Sequence, residues 1–180
     1  MKKDLEQKIK IPEGVEINIE GNLISVTGLE GNNNKEFKFG KLNVKKEGNE
    51  LIIFYKKATK KEKKQMNSIA SHIKNMIQGV QKKFEYKLKV CFSHFPINVE
   101  IKDREIIIKN FLGEKISRVA PIPEGVEVSV EGQEIKITST DKELTGQAAA
   151  NIERATRITG RDRRVFQDGI FIINKAGREI

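Results

Sequence analysis

The 180-residue sequence predicts an α+β fold of two tandem, similar domains, each a β-sheet with one main packed α-helix. Three observations carry this. First, a 17-residue segment occurs twice: Ile11 to Thr27 reads IPEGVEINIEGNLISVT and Ile122 to Thr138 reads IPEGVEVSVEGQEIKIT, ungapped at an offset of 111 with ten positions identical. Second, apolar residues alternate with polar ones in several runs, the period of a half-buried strand. Third, two stretches repeat their apolar residues every three or four positions, the period of a helix face. Two widely spaced copies point to a duplication rather than to a solenoid, whose repeats are shorter and more numerous. The division is expected near residue 82 or 83, giving domains 1–82 and 83–180.

Within each copy, Val15, Ile17 and Ile19 (or Val126, Val128 and Val130) form one strand of a hairpin. Gly21-Asn22 and Gly132-Gln133 turn it, because glycine and asparagine accept positive φ at little cost. Pro12 and Pro123 hold the residue before them extended. The first domain continues through Glu30-Gly31-Asn32-Asn33-Asn34, a loop signal. A strand is expected around Phe37 and Phe39 and onward to Val44, then Gly48-Asn49 turns into Leu51 to Tyr55. A helix comes next, with Thr59 and Glu62 at capping-box spacing and a stripe of Met66, Ile69, Ala70, Ile73, Ile77 and Val80.

The second domain opens on Phe84, Tyr86, Leu88 and Val90 in alternation. Phe92 to Pro96 reads as a loop or edge, since proline cannot donate to a central ladder. Ile97, Val99 and Ile101 form a strand, Asp103-Arg104 a turn, and Glu105 to Lys109 its return. Gly113 ends that run and Ile116 to Val119 starts the next. After the repeated hairpin, Thr140 and Glu143 have capping-box spacing, and Leu144, Ala148, Ile152 and Ala155 mark one face of a second helix. Asp168-Gly169 is expected to turn a hairpin between Phe166 and Ile170 to Ile172. One helix covers one sheet face, so the other is solvated, packed on the other domain, or laid on a partner.

Composition narrows the function. Apolar residues are 37% and charged residues 33%, enough for a core but not for a membrane span, which needs about 18 consecutive apolar residues. The N-terminal MKKDLEQKIKIPEG lacks the apolar stretch of a secretory signal, so a cytoplasmic protein is expected. Cys91 is the only cysteine, and His72 and His94 have no metal-ligand spacing, so neither a disulfide framework nor a metal or other cofactor is expected. No phosphate loop, HExxH or nucleophile elbow is present. Ser93, His94 and Cys91 are neighbours in sequence, which is not triad geometry; catalysis there would require a pocket joining Ser93, His94 and an acid. Cys91 reads as a small core residue and His72 as the surface edge of the first helix.

With 34 Lys and Arg against 25 Asp and Glu, a net +9, the natural partner is an anion. Two clusters concentrate the charge. Residues 56–64 contain six lysines and one acid, with Lys60, Lys61, Lys63 and Lys64 at the start of the first helix. Arg154, Arg157, Arg161, Arg163, Arg164, Lys175 and Arg178 accompany only Asp162 and Asp168 near the C-terminus. Arginine's planar fork suits bidentate phosphate contact, whereas lysine is a mobile point charge. The lysines therefore read as solvated surface or a secondary RNA contact, and the arginines as the sharper nucleic-acid site. Without a zinc-ligand set, a helix-turn-helix signal or a tryptophan, recognition of folded RNA by shape and phosphate position is favoured over base reading.

The most specific stretch is Arg164-Val165-Phe166-Gln167-Asp168-Gly169-Ile170-Phe171-Ile172-Ile173-Asn174-Lys175. Together with Ile11-Pro12-Glu13-Gly14-Val15, Cys91-Phe92-Ser93-His94-Phe95-Pro96-Ile97 and Thr159-Gly160-Arg161-Asp162-Arg163-Arg164, it resembles the L6 family of large-subunit ribosomal proteins, in the archaeal and eukaryotic form. The resemblance covers essentially the whole chain. It implies two tandem α+β domains, no catalysis, and binding of large-subunit ribosomal RNA mainly through the second domain. It further implies a position near the sarcin–ricin loop and the stalk base, beside neighbouring ribosomal proteins and the docking site of translational GTPases. Carried onto this sequence, the contacts are Arg154, Arg157, Arg161, Arg163, Arg164, Lys175 and Arg178. No long basic tail extends beyond Arg178, so anchoring is expected from the folded surface. The first 83 residues carry +8 and the remainder +1, which requires the second domain's acids, Glu124, Glu127 and Glu131, to face away from its arginines. A free RNA-binding assembly factor of the same fold is the alternative.

Overall fold

The computed structural model describes residues 3–162 and 164–180; Arg163, one of the expected contacts, lies outside them. The chain divides into two compact units between Lys83 and Phe84.

Unit 1 contains β1 (Lys3–Lys10), β2 (Glu16–Glu20), β3 (Leu23–Gly28), β4 (Gly31–Glu36), β5 (Asn43–Glu47), β6 (Glu50–Ala58) and α1 (Lys60–Gln81). Two antiparallel sheets form, β1-β6-β5 and β2-β3-β4. The expected capping box starts α1: the Thr59 side chain accepts from Lys61 N, and Glu62 accepts from Thr59 N. The whole predicted apolar stripe of α1 is buried, joined by Met76, in one core with Ile17, Ile24, Val26, Leu51 and Ile53. At Gly28 the β3 backbone touches the helix: a Cβ there would lie 2.8 Å from the Val80 carbonyl oxygen.

Unit 2 contains β7 (Phe84–Cys91), β8 (Asn98–Lys102), β9 (Glu105–Lys109), β10 (Arg118–Pro121), β11 (Glu127–Glu131), β12 (Glu134–Ser139), α2 (Lys142–Ala155), β13 (Gly169–Lys175) and β14 (Arg178–Glu179). Its sheets run β11-β12-β7-β13-β14 and β10-β9-β8. Leu88, Ile106, Ile108, Ala120, Ile135, Ala148 and Ile152 share one core, so the unit's own second sheet takes part in burying it. The opposite face of the five-stranded sheet is open at Lys89, Glu134, Lys136 and Phe171, so it is solvated, one of the three expected fates of an uncovered sheet face.

The two units are similar, but the repeated segment does not mark equivalent parts of them. In unit 1 it supplies β2 and β3, in unit 2 β11 and β12. The strand pairings define a different equivalence. Ile17 faces Val26 as Val99 faces Ile108, an offset of 82. Glu47 faces Glu50 as Glu131 faces Glu134, an offset of 84. Ile9 faces Leu51 as Leu88 faces Ile135. Thus β1 matches β7, β2-β3-β4 matches β8-β9-β10, and β5-β6-α1 matches β11-β12-α2. Both IPEG segments enter a hairpin, which selects the same residues for the same local geometry at two different places in the fold.

Four further expectations change. The Asn-rich run is strand β4, paired along Gly31 to Glu36 with β3, because ladder pairing overrides the turn preference of asparagine. Phe37 and Phe39 lie in the connection after β4, buried and stacked 5.9 Å apart, rather than in a strand. The cap of α2 is Asp141, whose carboxylate accepts from Glu143 N at 2.7 Å, one residue beyond Thr140. Asp168 turns no hairpin: it is buried just before β13, and Phe166 is in no strand. Strand β1 has only a faint sequence signal, since its alternation of Leu5, Gln7 and Ile9 is diluted by charge.

Candidate nucleic-acid interface

The last turn of α2, Thr156 to Ile158, Val165 to Asp168, the loop after β7 and the start of β13 enclose an open cleft of about 840 Å³. Its geometry comes from how the segment after α2 is tied down. Thr156 Oγ1 accepts from Ile170 N at 2.9 Å and donates to Glu153 O at 3.2 Å. Glu153 in turn accepts from Ile172 N at 3.3 Å. The helix end is thereby stapled to β13. Arg118 secures the same end from the other sheet: its guanidinium donates to Ala155 O at 2.8 Å and Arg157 O at 3.3 Å. It also pairs with both Glu114 oxygens and stacks 4.3 Å from the Phe111 ring centre. Nothing near Arg118 in the sequence signals this role.

Asp168 anchors the cleft's other wall. Its fully buried carboxylate accepts from Ser93 Oγ at 2.8 Å, from His94 N at 3.2 Å, and from His94 Nδ1 at 2.9 Å when that nitrogen carries its proton. Burial alone would push the carboxyl up; the bonds from His94 and Ser93 outweigh it and hold the pKa at about 2. The three residues a hydrolase would need thus do meet beside a cleft. Their wiring is wrong for nucleophilic attack. Ser93 donates to the acid itself and lies 3.1 Å from the same Nδ1 that the acid uses. A catalytic serine instead needs the opposite ring nitrogen as its base. A carboxylate with so low a pKa is also a poor base at neutral pH. Here the carboxylate pins a loop.

The predicted contacts fall into separate groups. Arg154, exposed in the last turn of α2, and Arg157 both line the cleft. They do not share a helix face, because α2 ends at Ala155 and Arg157 lies beyond the Thr156 cap. Arg161 lies 4.8 Å over the ring of Phe166, which stacks on His94 at 5.0 Å. The Arg164 guanidinium is engaged with the Asp162 carboxylate through Nε and NH2. That pairing raises the pKa of Arg164 and lowers that of Asp162. Lys175 and Arg178 face each other at the opposite end of β13, where Lys175 pairs with Tyr86, whereas Gly169 at the cleft pairs with Cys91. Six residues of strand span roughly 20 Å, so these two do not join the cleft arginines. Lys60, Lys61, Lys63 and Lys64 are exposed in the first turns of α1 in unit 1.

Of the acids of unit 2, Glu124, Glu127 and Glu131 lie outside the cleft's lining, whereas Glu153 lines it beside Arg154 and Arg157 and Asp162 pairs with Arg164. Glu127 and Glu131 belong to β11, the edge strand separated from β13 by β12 and β7. Glu124 pairs with Arg104. Among the described residues no three His, Cys, Asp or Glu side chains converge to hold a metal, and no helix is long and apolar enough to cross a membrane.

Known proteins resemble this chain along most of its length. The family described as Ribosomal protein L6 matches residues 11–83 and 95–169. The chain is 41% identical over 174 residues to the large ribosomal subunit protein uL6 of Methanococcus vannielii, covering 97% of this chain and 96% of the relative. It is 44% identical to the uL6 of Sulfurisphaera tokodaii, covering 95% and 92%, and 45% identical to that of Ignicoccus hospitalis, covering 91% of each.

Proposed function

The chain belongs to the ribosomal protein L6 family, and from that premise we propose that it anchors to large-subunit ribosomal RNA chiefly through unit 2, beside the sarcin–ricin loop and the stalk base. As a member of that family it is a structural constituent of the ribosome and not an enzyme. The observation that carries the proposal is the placement of Arg154 and Arg157 in one cleft, with Arg161 over the ring of Phe166 in its wall and with Arg118 and Asp168 fixing the backbone nearby. Arginine's planar fork is preorganised, so it loses less freedom per phosphate hydrogen bond than a lysine does. Phosphate neutralisation by such groups supplies affinity and register without reading sequence. The position near the sarcin–ricin loop rests on the sequence resemblance, as do neighbouring stalk-base proteins and translational GTPases docking nearby. In this reading Lys60, Lys61, Lys63 and Lys64 supply a secondary contact or steering, and the protein resides in cytoplasmic large subunits.

Sedimentation of gently lysed source cells through a gradient, after a high-salt wash, tests this. About one copy per mature large subunit and per whole ribosome is expected. Recovery only in immature particles or at the top of the gradient would replace the reading with that of a free assembly factor.

A further inference from the structure

We propose that the cleft of unit 2 takes an unstacked nucleobase of the bound RNA, so that the site grips a base by stacking while its arginines hold the adjoining phosphates. This rests on the RNA-binding reading above and names what that site receives. The cleft's volume of about 840 Å³ lies within the roughly 300–1,000 Å³ usual for small-ligand sites.

Its walls are aromatic and unusually exposed: Phe92 is 38%, Phe171 44% and Val165 61% exposed, and Phe166 completes the surface. Exposed apolar side chains scattered singly mean little, but several around one concavity mark a binding surface. The Phe171 ring lies across Gly169, where a Cβ would sit 3.0 Å from its Cζ. Absence of a side chain there lets the ring lie flat along the wall.

Charge chooses the occupant. Arg154 and Arg157 line the same cleft, so an apolar group attached to an anion fits, and an RNA nucleotide has both parts. The polar groups of the wall are largely committed within the protein: Asp168 to Ser93 and His94, Thr156 to Ile170 and Glu153, and Glu153 to Ile172. Few remain to read base edges, so the base is held by its faces, which is sequence-tolerant.

The test compares full-length wild type with F171A and A150F, the second filling the cleft from α2, using deproteinised large-subunit RNA across a range of salt. Thermal unfolding checks each fold; if A150F fails to fold, F171A, altered at an exposed ring, decides. Stacking contributes affinity with little counterion release, so both variants should bind about tenfold more weakly with an unchanged log–log salt slope. Ultraviolet cross-linking of the wild-type complex should place a nucleotide on peptides spanning residues 91–95 or 165–171. Unchanged affinity in folded F171A, or cross-links confined to other peptides, overturns the base site while leaving arginine-mediated anchoring intact. If F171A keeps its RNA affinity but enters subunits poorly, the cleft holds a protein neighbour instead. Failure of the wild type to bind this RNA would be a failure of the RNA-binding reading itself, which separates the two.

Discussion

Units 1 and 2 share one frame, and unit 2 differs chiefly in the chain beyond its helix. In unit 1, β1 is the edge of its sheet. In unit 2 the matching strand, β7, is central, because β13 pairs along its other side. The segment from Thr156 to Asp168 that delivers β13 to that edge also builds the cleft and carries Arg157, Arg161 and Arg164. After α1 the chain passes through Lys82-Lys83 directly into β7. The frame common to both units is thus scaffold, and the candidate interface grows from the addition to it.

The largest expected effects lie in the two cores. Ile73 in α1 and Ile152 in α2 are both fully buried. Ile73→Ala and Ile152→Ala should each destabilise by about 2–5 kcal/mol in denaturant unfolding. Only the second should also weaken RNA binding, because α2 carries Arg154 and ends at the cleft. Equal loss of RNA affinity in both would erase the functional distinction between the units.

Next comes Asp168. Its folded pKa of about 2 lies below the ordinary 3.8, so its stabilisation is full above about pH 4 and disappears as pH falls through 2. The difference corresponds to roughly 2 kcal/mol. Asp168→Asn should flatten this acid limb of stability, monitored by near-ultraviolet circular dichroism, and should release the Ser93-His94 loop. An acid limb identical to wild type would show that the carboxylate does not hold that loop.

The smallest effects distinguish the caps. Thr59→Ala breaks a two-way capping box and Asp141→Ala a single carboxylate bond. Each should cost about 1 kcal/mol in thermal unfolding, with Thr59 the larger. Asp141→Ala outranking Thr59→Ala would mean that the reciprocal Glu62 contact adds nothing.

Much of the frame is legible in the sequence because period-2 and period-3.6 patterns report local burial directly. The stripe of α1, the alternation of β7 and the paired hairpins all fall where their residues indicate. The duplication is legible too, although the segment that announces it aligns strands that do not correspond. Asparagines in β4 mislead because their turn preference is weak against a continuous ladder. The site is legible as charge and not as shape. Arg154, Arg157 and Arg161 cluster in sequence, but Phe92 and Phe171 are 79 residues apart and meet only through the pairing of β7 with β13. For the same reason the absence of tryptophan argues against stacking in the sequence, whereas the fold brings the phenylalanines together. Asp168 resembles a turn residue because its partners, Ser93 and His94, are remote in sequence.

On this reading the arginines of unit 2, and not the more numerous lysines of unit 1, anchor the RNA. This is tested most directly by measuring the salt dependence of large-subunit RNA binding for two variants, one with Arg154, Arg157 and Arg161 changed to Ala and one with Lys60, Lys61, Lys63 and Lys64 changed to Ala. Each lost phosphate contact lowers the log–log slope by roughly 0.7–0.9. A fall of about two units is expected for the arginine variant and of less than about one for the lysine variant. The reverse order, with both proteins folded, would contradict it and move the principal RNA contact to unit 1.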